Sequence, residues 1–377
     1  MNSIERKRYL PRPPFSEDAE TFILPIARSQ SDVKNGLIIG GGWRYFNELR
    51  VIQKHQHIYT EVIMSPKKLL IEAKLESKRN YLIVEKLISN ITKKRHNVCN
   101  LDMSIPHIVG ILNLTPDSFY KKSQTTNTEI AVKKSIKMIS DGASVIDIGG
   151  ESTRPGAIPI SEDEELKRVL PAIISLKKQL NVNISLDTMK LKTMKVGVKN
   201  GVNIINDVTG FKNQNKIKFA SRLNLPIVVM HMQNKPQNMQ TSPNYDFAPI
   251  DIFKFFSKRI SELLNMGVKM SNIIVDPGIG FGKNSKHNID ILRNLTLFHN
   301  LGTPILLGVS RKSFIGEITK DVCKLEENIR ISSVPPSKRL SGSLSFAMHA
   351  HQNSVQFIRT HDVFETKQAI ICQNVLS

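Results

Sequence analysis

Eight short apolar runs recur between about residue 107 and residue 363, and all but the last are followed by a segment with helical patterning. They read HIVGILNL (107–114), VIDIGG (145–150), NISLDT (183–188), IINDV (204–208), IVVMHM (227–232), IIVDPG (273–278), ILLGVS (305–310) and FIRTHDV (357–363). Each is rich in Ile, Val and Leu without strict alternation, the composition of a parallel strand covered on both faces. Strand–helix units repeated in this way predict an α/β fold, a (β/α)8 TIM barrel. Chemistry in that fold sits at the C-terminal ends of the strands. Those ends here carry Asn113, Asp147, Asp187, Asn206, His231, Asp276, Ser310 and His361, which makes an enzyme the leading reading.

The chain has 377 residues, more than one barrel needs, so a barrel over 105–377 with an N-terminal extension over 1–104 is expected. The extension does not follow the barrel rhythm. Arg12-Pro13-Pro14 marks an extended start, and Gly40-Gly41-Gly42 before Trp43 reads as a turn with an aromatic anchor. Residues 65–95 fit one or two amphipathic helices, and 96–106 a connector. No nucleotide or metal motif stands in this segment, and it discloses no role. Within the barrel, Ser161 and Glu164 form a capping-box pattern, and Gly267 stops a helix over 249–266. Residues 314–338, with Pro335-Pro336, read as an irregular insertion before a helix over 340–352.

Composition narrows the classes. Apolar content of 40% supports a sizeable core, while no apolar run approaches the roughly 18 residues of a membrane span. The N-terminus carries charge but no apolar stretch of the secretory type. Cys99, Cys323 and Cys372 are far apart and lack metal-ligand spacing, which suits reduced thiols in a cytoplasmic protein. The net charge of +20 favours anionic partners. No aromatic ribonucleoprotein motif, zinc-finger spacing or basic heptad accompanies it, so no nucleic-acid partner is expected; a phosphorylated small molecule fits the charge equally.

Several strings carry possible chemistry. Asn113 and Asp117 in NLTPDSF (113–119) suit Mg²⁺ through oxygen, although the same string is an ordinary turn, and the residues leave both open. GGESTRPGA (149–157) combines glycines, hydroxyls and Arg154 in an anion cradle. Asp187, Asn206 and Asp276 at a common mouth suit a heterocycle with several N–H donors. The alternative is that one or two cap the following helices, Asp187 first among them. GIGFGK (278–283) lacks both the P-loop ending and the dinucleotide spacing, and reads as a loop placing Phe281 over the pocket. Ser310-Arg311-Lys312-Ser313, with Arg359 and His361, gives the mouth a cationic side where phosphate sites are frequent in this fold. His231 and His361 lack zinc spacing. The combination suggests displacement at a carbon bearing a diphosphate leaving group, with a divalent ion stabilising the departing charge.

In order, ILNLTPDSF, IDIGGESTRPGA, SLDT, INDVTGF, MHMQ, DPGIGFGK, GVSRKSFIG, LSGSL and RTHDV closely resemble the dihydropteroate synthases, over about residues 105–375. The resemblance implies a transferase of folate synthesis and sulfonamide target. Such an enzyme joins 4-aminobenzoate to the C9 methylene of 6-hydroxymethyl-7,8-dihydropterin diphosphate, uses Mg²⁺ and is commonly a homodimer. By matching position, Asn113 is the implied Mg²⁺ ligand. Asp187, Asn206, Met230, Asp276 and Lys312 are implied to line the pterin site, with Asp147 beneath it. Thr153, Arg154, Arg359 and His361 are implied to hold the diphosphate, and Phe281, Ser313 and Pro155 to frame the aminobenzoate. Lys312, Asp276, Arg359 and His361 are the implied catalytic set. One departure stands out: the family's TPDSFSDGG reads TPDSFYKKSQ here, with Lys121 in place of an acidic residue. That change leaves a catalytically weak or regulatory pterin-binding paralogue as the alternative. A fused hydroxymethyldihydropterin pyrophosphokinase is not recognisable in residues 1–104.

Overall fold

The computed structural model describes residues 4–6, 19–115, 124–154, 156–320 and 333–376. The expectations for Arg12-Pro13-Pro14, Asp117, Lys121, Pro155 and Cys323 therefore lie outside the described residues. In chain order the extension contains β1 (Ile4–Arg6), β2 (Glu20–Pro25), β3 (Leu37–Ile38), β4 (Tyr45–Phe46), β5 (Leu49–His55), β6 (Ile58–Met64), α1 (Pro66–Glu76) and α2 (Lys78–Thr92). The barrel strands are β7 (His107–Asn113), β8 (Ala143–Gly149), β9 (Asn183–Asp187), β10 (Ile204–Asp207), β11 (Ile227–Met230), β12 (Ile273–Asp276), β13 (Leu306–Gly308) and β14 (Phe357–Thr360). The helices between and after them are α3 (Gln124–Ser140), α4 (Glu162–Gln179), α5 (Leu191–Lys199), α6 (Gln214–Leu223), α7 (Ala248–Asn265), α8 (Ser285–Arg293), α9 (Ser313–Ile318), α10 (Leu340–Gln352) and α11 (Val363–Val375).

Each expected run coincides with a strand. The strands pair in parallel in the order β12-β11-β10-β9-β8-β7-β14-β13. Between β12 and β13 the ring is drawn together by the Val275–Ile305 bridge and a bond from Val275 N to Pro304 O of 3.1 Å. This is the predicted TIM barrel.

Strand parity then decides what faces the mouth, because successive side chains point to opposite faces. One apolar residue from each of seven strands (Val109, Val145, Ile204, Val228, Ile274, Leu306 and Phe357) belongs to a single cluster, the barrel floor. Their immediate neighbours, such as Ile108, Ile146, Ile205, Val229, Val275, Leu307 and Ile358, belong to the larger cluster beneath the surrounding helices. Two residues beyond the floor, the same inward parity reaches Asp147, Asn206, Met230, Asp276, Gly308 and Arg359.

The connector at 96–106 closes the floor from below. Cys99 and Asn100 turn at φ 47° and 64°, and the turn seats Val98 and Met103 in the floor cluster. The extension holds the two expected helices, but also a four-stranded sheet, β1-β6-β5-β2, that sequence patterning does not reveal. Its central hairpin turns at Gln56-His57, with Gln56 at φ 52°, and so lacks the Asn-Gly signature of such turns. Phe22, Leu24, Ile52 and Tyr59 of this sheet share a cluster with Phe247, Ile250 and Leu297 of the barrel. Asn300 Nδ2 donates to Ile23 O at 2.6 Å, and Trp43 Nε1 to His351 O at 2.9 Å. Trp43, the expected anchor, also stacks on the His351 ring at 5.4 Å.

Three sequence expectations differ from the structure, the first being 314–338 as irregular chain: residues 314–318 lie in α9. The last run is followed by a helix, α11, which the sequence reading omitted. Val363 and Ile370 are buried while Phe364, Ile371 and Val375 are exposed, so the segment shows no clean apolar stripe. At the start of α4 only half of the capping box forms. Ser161 Oγ accepts from Glu164 N at 3.1 Å, but the Glu164 carboxylate turns to Arg168 at 2.8 Å.

Candidate active site

The inward residues at the strand ends form a polar, largely buried cluster. Arg359 at the end of β14 donates from Nε to Asp147 Oδ2 at 2.6 Å and from Nη2 to Asp187 Oδ2 at 3.0 Å. Asn206 Nδ2 donates to Asp147 Oδ2 at 3.4 Å. Asp147 Oδ1 and Asn206 Oδ1 are buried acceptors with no protein donor, a costly arrangement unless a ligand supplies one. Asp187 does not cap α5, whose first residue follows Lys190; its carboxylate serves Arg359 instead. Burial and the nearby Asp147 push its pKa up to about 7, against the pull of Arg359.

Asp276 closes β12 and accepts from Gly278 N at 2.7 Å. Burial raises its pKa, and Lys312 opposes the rise. Lys312 donates from Nζ to Ile279 O and lies 4.8 Å from the centre of the Phe281 ring. Burial lowers its pKa to about 8, against the pull of Asp276. Phe281 packs against a cluster of Val208, Met230, Met232 and Met239, which sets an aromatic face bordered by thioethers beside the loop.

That loop depends on its glycines. Gly278 has φ 68°, and a Cβ there would stand 2.0 Å from His231 O. Beneath it Lys283, absent from the sequence-based site, is buried. Its Nζ donates to Gly278 O at 2.8 Å, Phe281 O at 2.9 Å and His231 O at 3.2 Å, and lies 3.1 Å from His231 Nδ1. Burial takes the Lys283 pKa well below that of an ordinary lysine, and does the same for His231. Lys283 was hidden because its partners are fixed by the loop's path and not by a motif.

The expected cationic side is narrower than the sequence suggests. Arg311 is paired with Asp362, its Nε donating at 3.0 Å. The His361 ring meets Ser310 Oγ at 3.0 Å; the residue is exposed at the mouth, and desolvation of its ring followed by Arg359 holds its pKa below the usual imidazole value. Arg154 is exposed and Thr153 half-buried on the loop after β8, while Ser313 is exposed at the start of α9. Asn113 is half-buried at the end of β7, its Oδ1 3.7 Å from where a Cβ on Gly149 would stand. Among the described residues no three His, Cys, Asp or Glu side chains gather as a metal cage. A single amide oxygen suits an ion whose remaining ligands are water and substrate phosphate.

A second group missed in the sequence lies behind the β8 and β9 loops. Glu151 meets Lys190 at 2.7 Å, Lys190 lies 3.5 Å from Glu165, and Glu165 accepts from Thr188 and Thr193 at 2.9 and 2.8 Å.

The family model described as pterin binding enzyme matches residues 109–361 of this chain. The dihydropteroate synthase of Escherichia coli strain K12 is 40% identical over 271 residues, covering 72% of this chain and 92% of that protein. The dihydropteroate synthase of Yersinia pestis, solved in complex with a sulfonamide drug, is 39% identical and superposes with a TM-score of 0.67 over 73% of this chain and 96% of that one. That of Xanthomonas albilineans, in complex with 7,8-dihydropteroate, is 32% identical with a TM-score of 0.64, over 73% and 95%.

Proposed function

The chain belongs to the dihydropteroate synthase family of pterin-binding enzymes, and from that premise we propose how its residues divide the reaction among them. The reaction is the transfer of the dihydropterin methylene from diphosphate to 4-aminobenzoate, giving 7,8-dihydropteroate and pyrophosphate. The C9–O bond to diphosphate breaks, the arylamine nitrogen bonds to C9, and the amine loses a proton.

The observation that carries the residue assignment is the buried acceptor set at the mouth. Asp147 Oδ1 and Asn206 Oδ1 await donors, and a pterin edge is rich in N–H groups. Asn206, Asp187 and Asp276 take those donors, Asp147 accepts from beneath, and Met230 fills the apolar side. Lys312 donates to the ring from the opposite edge. Positive charge that develops on the ring as C9–O breaks is met by the Asp276 carboxylate, in a site with little water to reorganise. Arg359, Thr153, Arg154 and His361 face the diphosphate. Phe281 and Ser313, with Pro155, border the aminobenzoate, the position at which a sulfonamide competes.

Asn113 would hold Mg²⁺, with the substrate's phosphate oxygens and water as the remaining ligands. When bound, the ion neutralises charge on the departing pyrophosphate. We further assign the protein to the cytoplasm as a homodimer with no nucleic-acid partner, its positive charge drawing in an anionic substrate. The test is a Mg²⁺ titration of product formation with Asn113→Ala. The assignment expects a higher Mg²⁺ requirement with unchanged binding of the diphosphate-free pterin. An unchanged Mg²⁺ requirement removes Asn113 from the metal site.

A further inference from the structure

We infer that Glu151 and Lys190 form a clamp that positions the diphosphate-binding loop against the pterin wall. The inference rests on the placement of the diphosphate at Thr153 and Arg154 proposed above. Glu151 is the first residue after Gly149-Gly150, and both its carboxylate oxygens are engaged. Oε1 accepts from Ile160 N at 3.0 Å, and Oε2 from Lys190 Nζ at 2.7 Å. Ile160 immediately precedes Ser161, the N-cap of α4. One carboxylate thus fastens the two ends of the segment that carries Thr153 and Arg154. With both oxygens occupied, Glu151 is a positioning residue and not a base.

Lys190 carries the connection to the next strand. It stands three positions after Asp187, its backbone N donates to Thr188 Oγ1 at 3.1 Å, and its Nζ lies 3.5 Å from Glu165 Oε2. Glu165 is fully buried and accepts from Thr188 and Thr193. Side-chain exposure is 5% for Glu151 and 16% for Lys190, so solvent screens the pair little. A further bond, Arg168 Nη1 to Gly150 O at 3.1 Å, holds the start of the loop from α4. The loop after β8 is therefore fastened to the turn after β9 and to the start of α4.

This geometry separates two parts of one substrate. Neutralising Lys190 releases the loop that meets the diphosphate, while Asn206, Asp276 and Lys312, on other strands, still meet the ring. Lys190→Met, Lys190→Arg and Glu151→Gln in the full chain would each be titrated with 6-hydroxymethyl-7,8-dihydropterin, with and without its diphosphate, in the presence of Mg²⁺. The expected result for Lys190→Met and Glu151→Gln is about tenfold weaker binding of the diphosphate form, in keeping with the cost of small misplacements. The diphosphate-free pterin should bind as to wild type, and Lys190→Arg should restore the diphosphate form. Equal weakening of both ligands, or none, overturns the inference; should Lys190→Met not fold, Glu151→Gln and Lys190→Arg carry the same comparison. Wild-type protein that binds neither pterin would instead overturn the placement on which the inference rests.

Discussion

Lys312 shows how one residue's surroundings set its chemistry. Burial lowers its pKa to about 8, so the ammonium that would donate to the pterin is half lost at that pH. The cation is the useful form, so kcat/KM should fall as pH rises through about 8. Lys312→Arg should abolish that limb at a lower overall rate, because a guanidinium stays charged. A pH–rate profile of both proteins checks this. Asp187 gives a second prediction, with the opposite use of sign. Its folded pKa, pushed up to about 7, exceeds the 3.8 of an unperturbed aspartate, so the folded state binds more protons between those values. Stability contributed by this group is therefore present below that window and lost as pH rises through it. Asp187→Asn should therefore flatten the fall in stability between pH 4 and pH 8, as read by urea denaturation at both pH values. Asp187, Asn206 and Asp276 were legible in the sequence because each ends an apolar run at inward parity. Lys283, Glu151 and Lys190 were not: the Lys283 bonds depend on the path of its own loop, and the Glu151–Lys190 bond spans 39 positions.

Among the elements, the eight barrel strands could be read in advance because strand-length apolar runs recur in alternation with helical patterning. The extension's sheet could not. β5 and β6 bury Gln53, Thr60 and Glu61 among their apolar residues, so no unbroken apolar run marks them; they join through Gln56-His57, and β2 reaches β5 across a long connection. The connector at 96–106 likewise looks like a simple linker, yet it supplies Met103, fully buried in the barrel floor. Met103→Ala should cost about 2–5 kcal/mol of stability by leaving a cavity where no neighbouring element can collapse. Chemical denaturation measures it, and kcat at a temperature where both proteins are folded should be unchanged. A loss below about 0.5 kcal/mol would deny the connector its role as a floor.

For the whole molecule, the extension behaves as part of the barrel's surface. Its Phe22, Leu24, Ile52 and Tyr59 cover Phe247, Ile250 and Leu297, and the buried Arg95 guanidinium donates to His299 O at 3.0 Å. Removing residues 1–104 uncovers that face, so the remaining barrel should be poorly soluble or melt at least about 10 °C lower, as the apolar area lost implies. Expression and thermal melting of residues 105–377 test this. The synthase assignment is tested first by pyrophosphate release from the full chain supplied with Mg²⁺, 6-hydroxymethyl-7,8-dihydropterin diphosphate and 4-aminobenzoate. The account predicts release that requires both substrates, yields 7,8-dihydropteroate and falls at least about 100-fold in Lys312→Ala, as expected for a lost electrostatic contact at the reacting ring. Bound dihydropterin diphosphate without release, or release indifferent to Lys312, would contradict it.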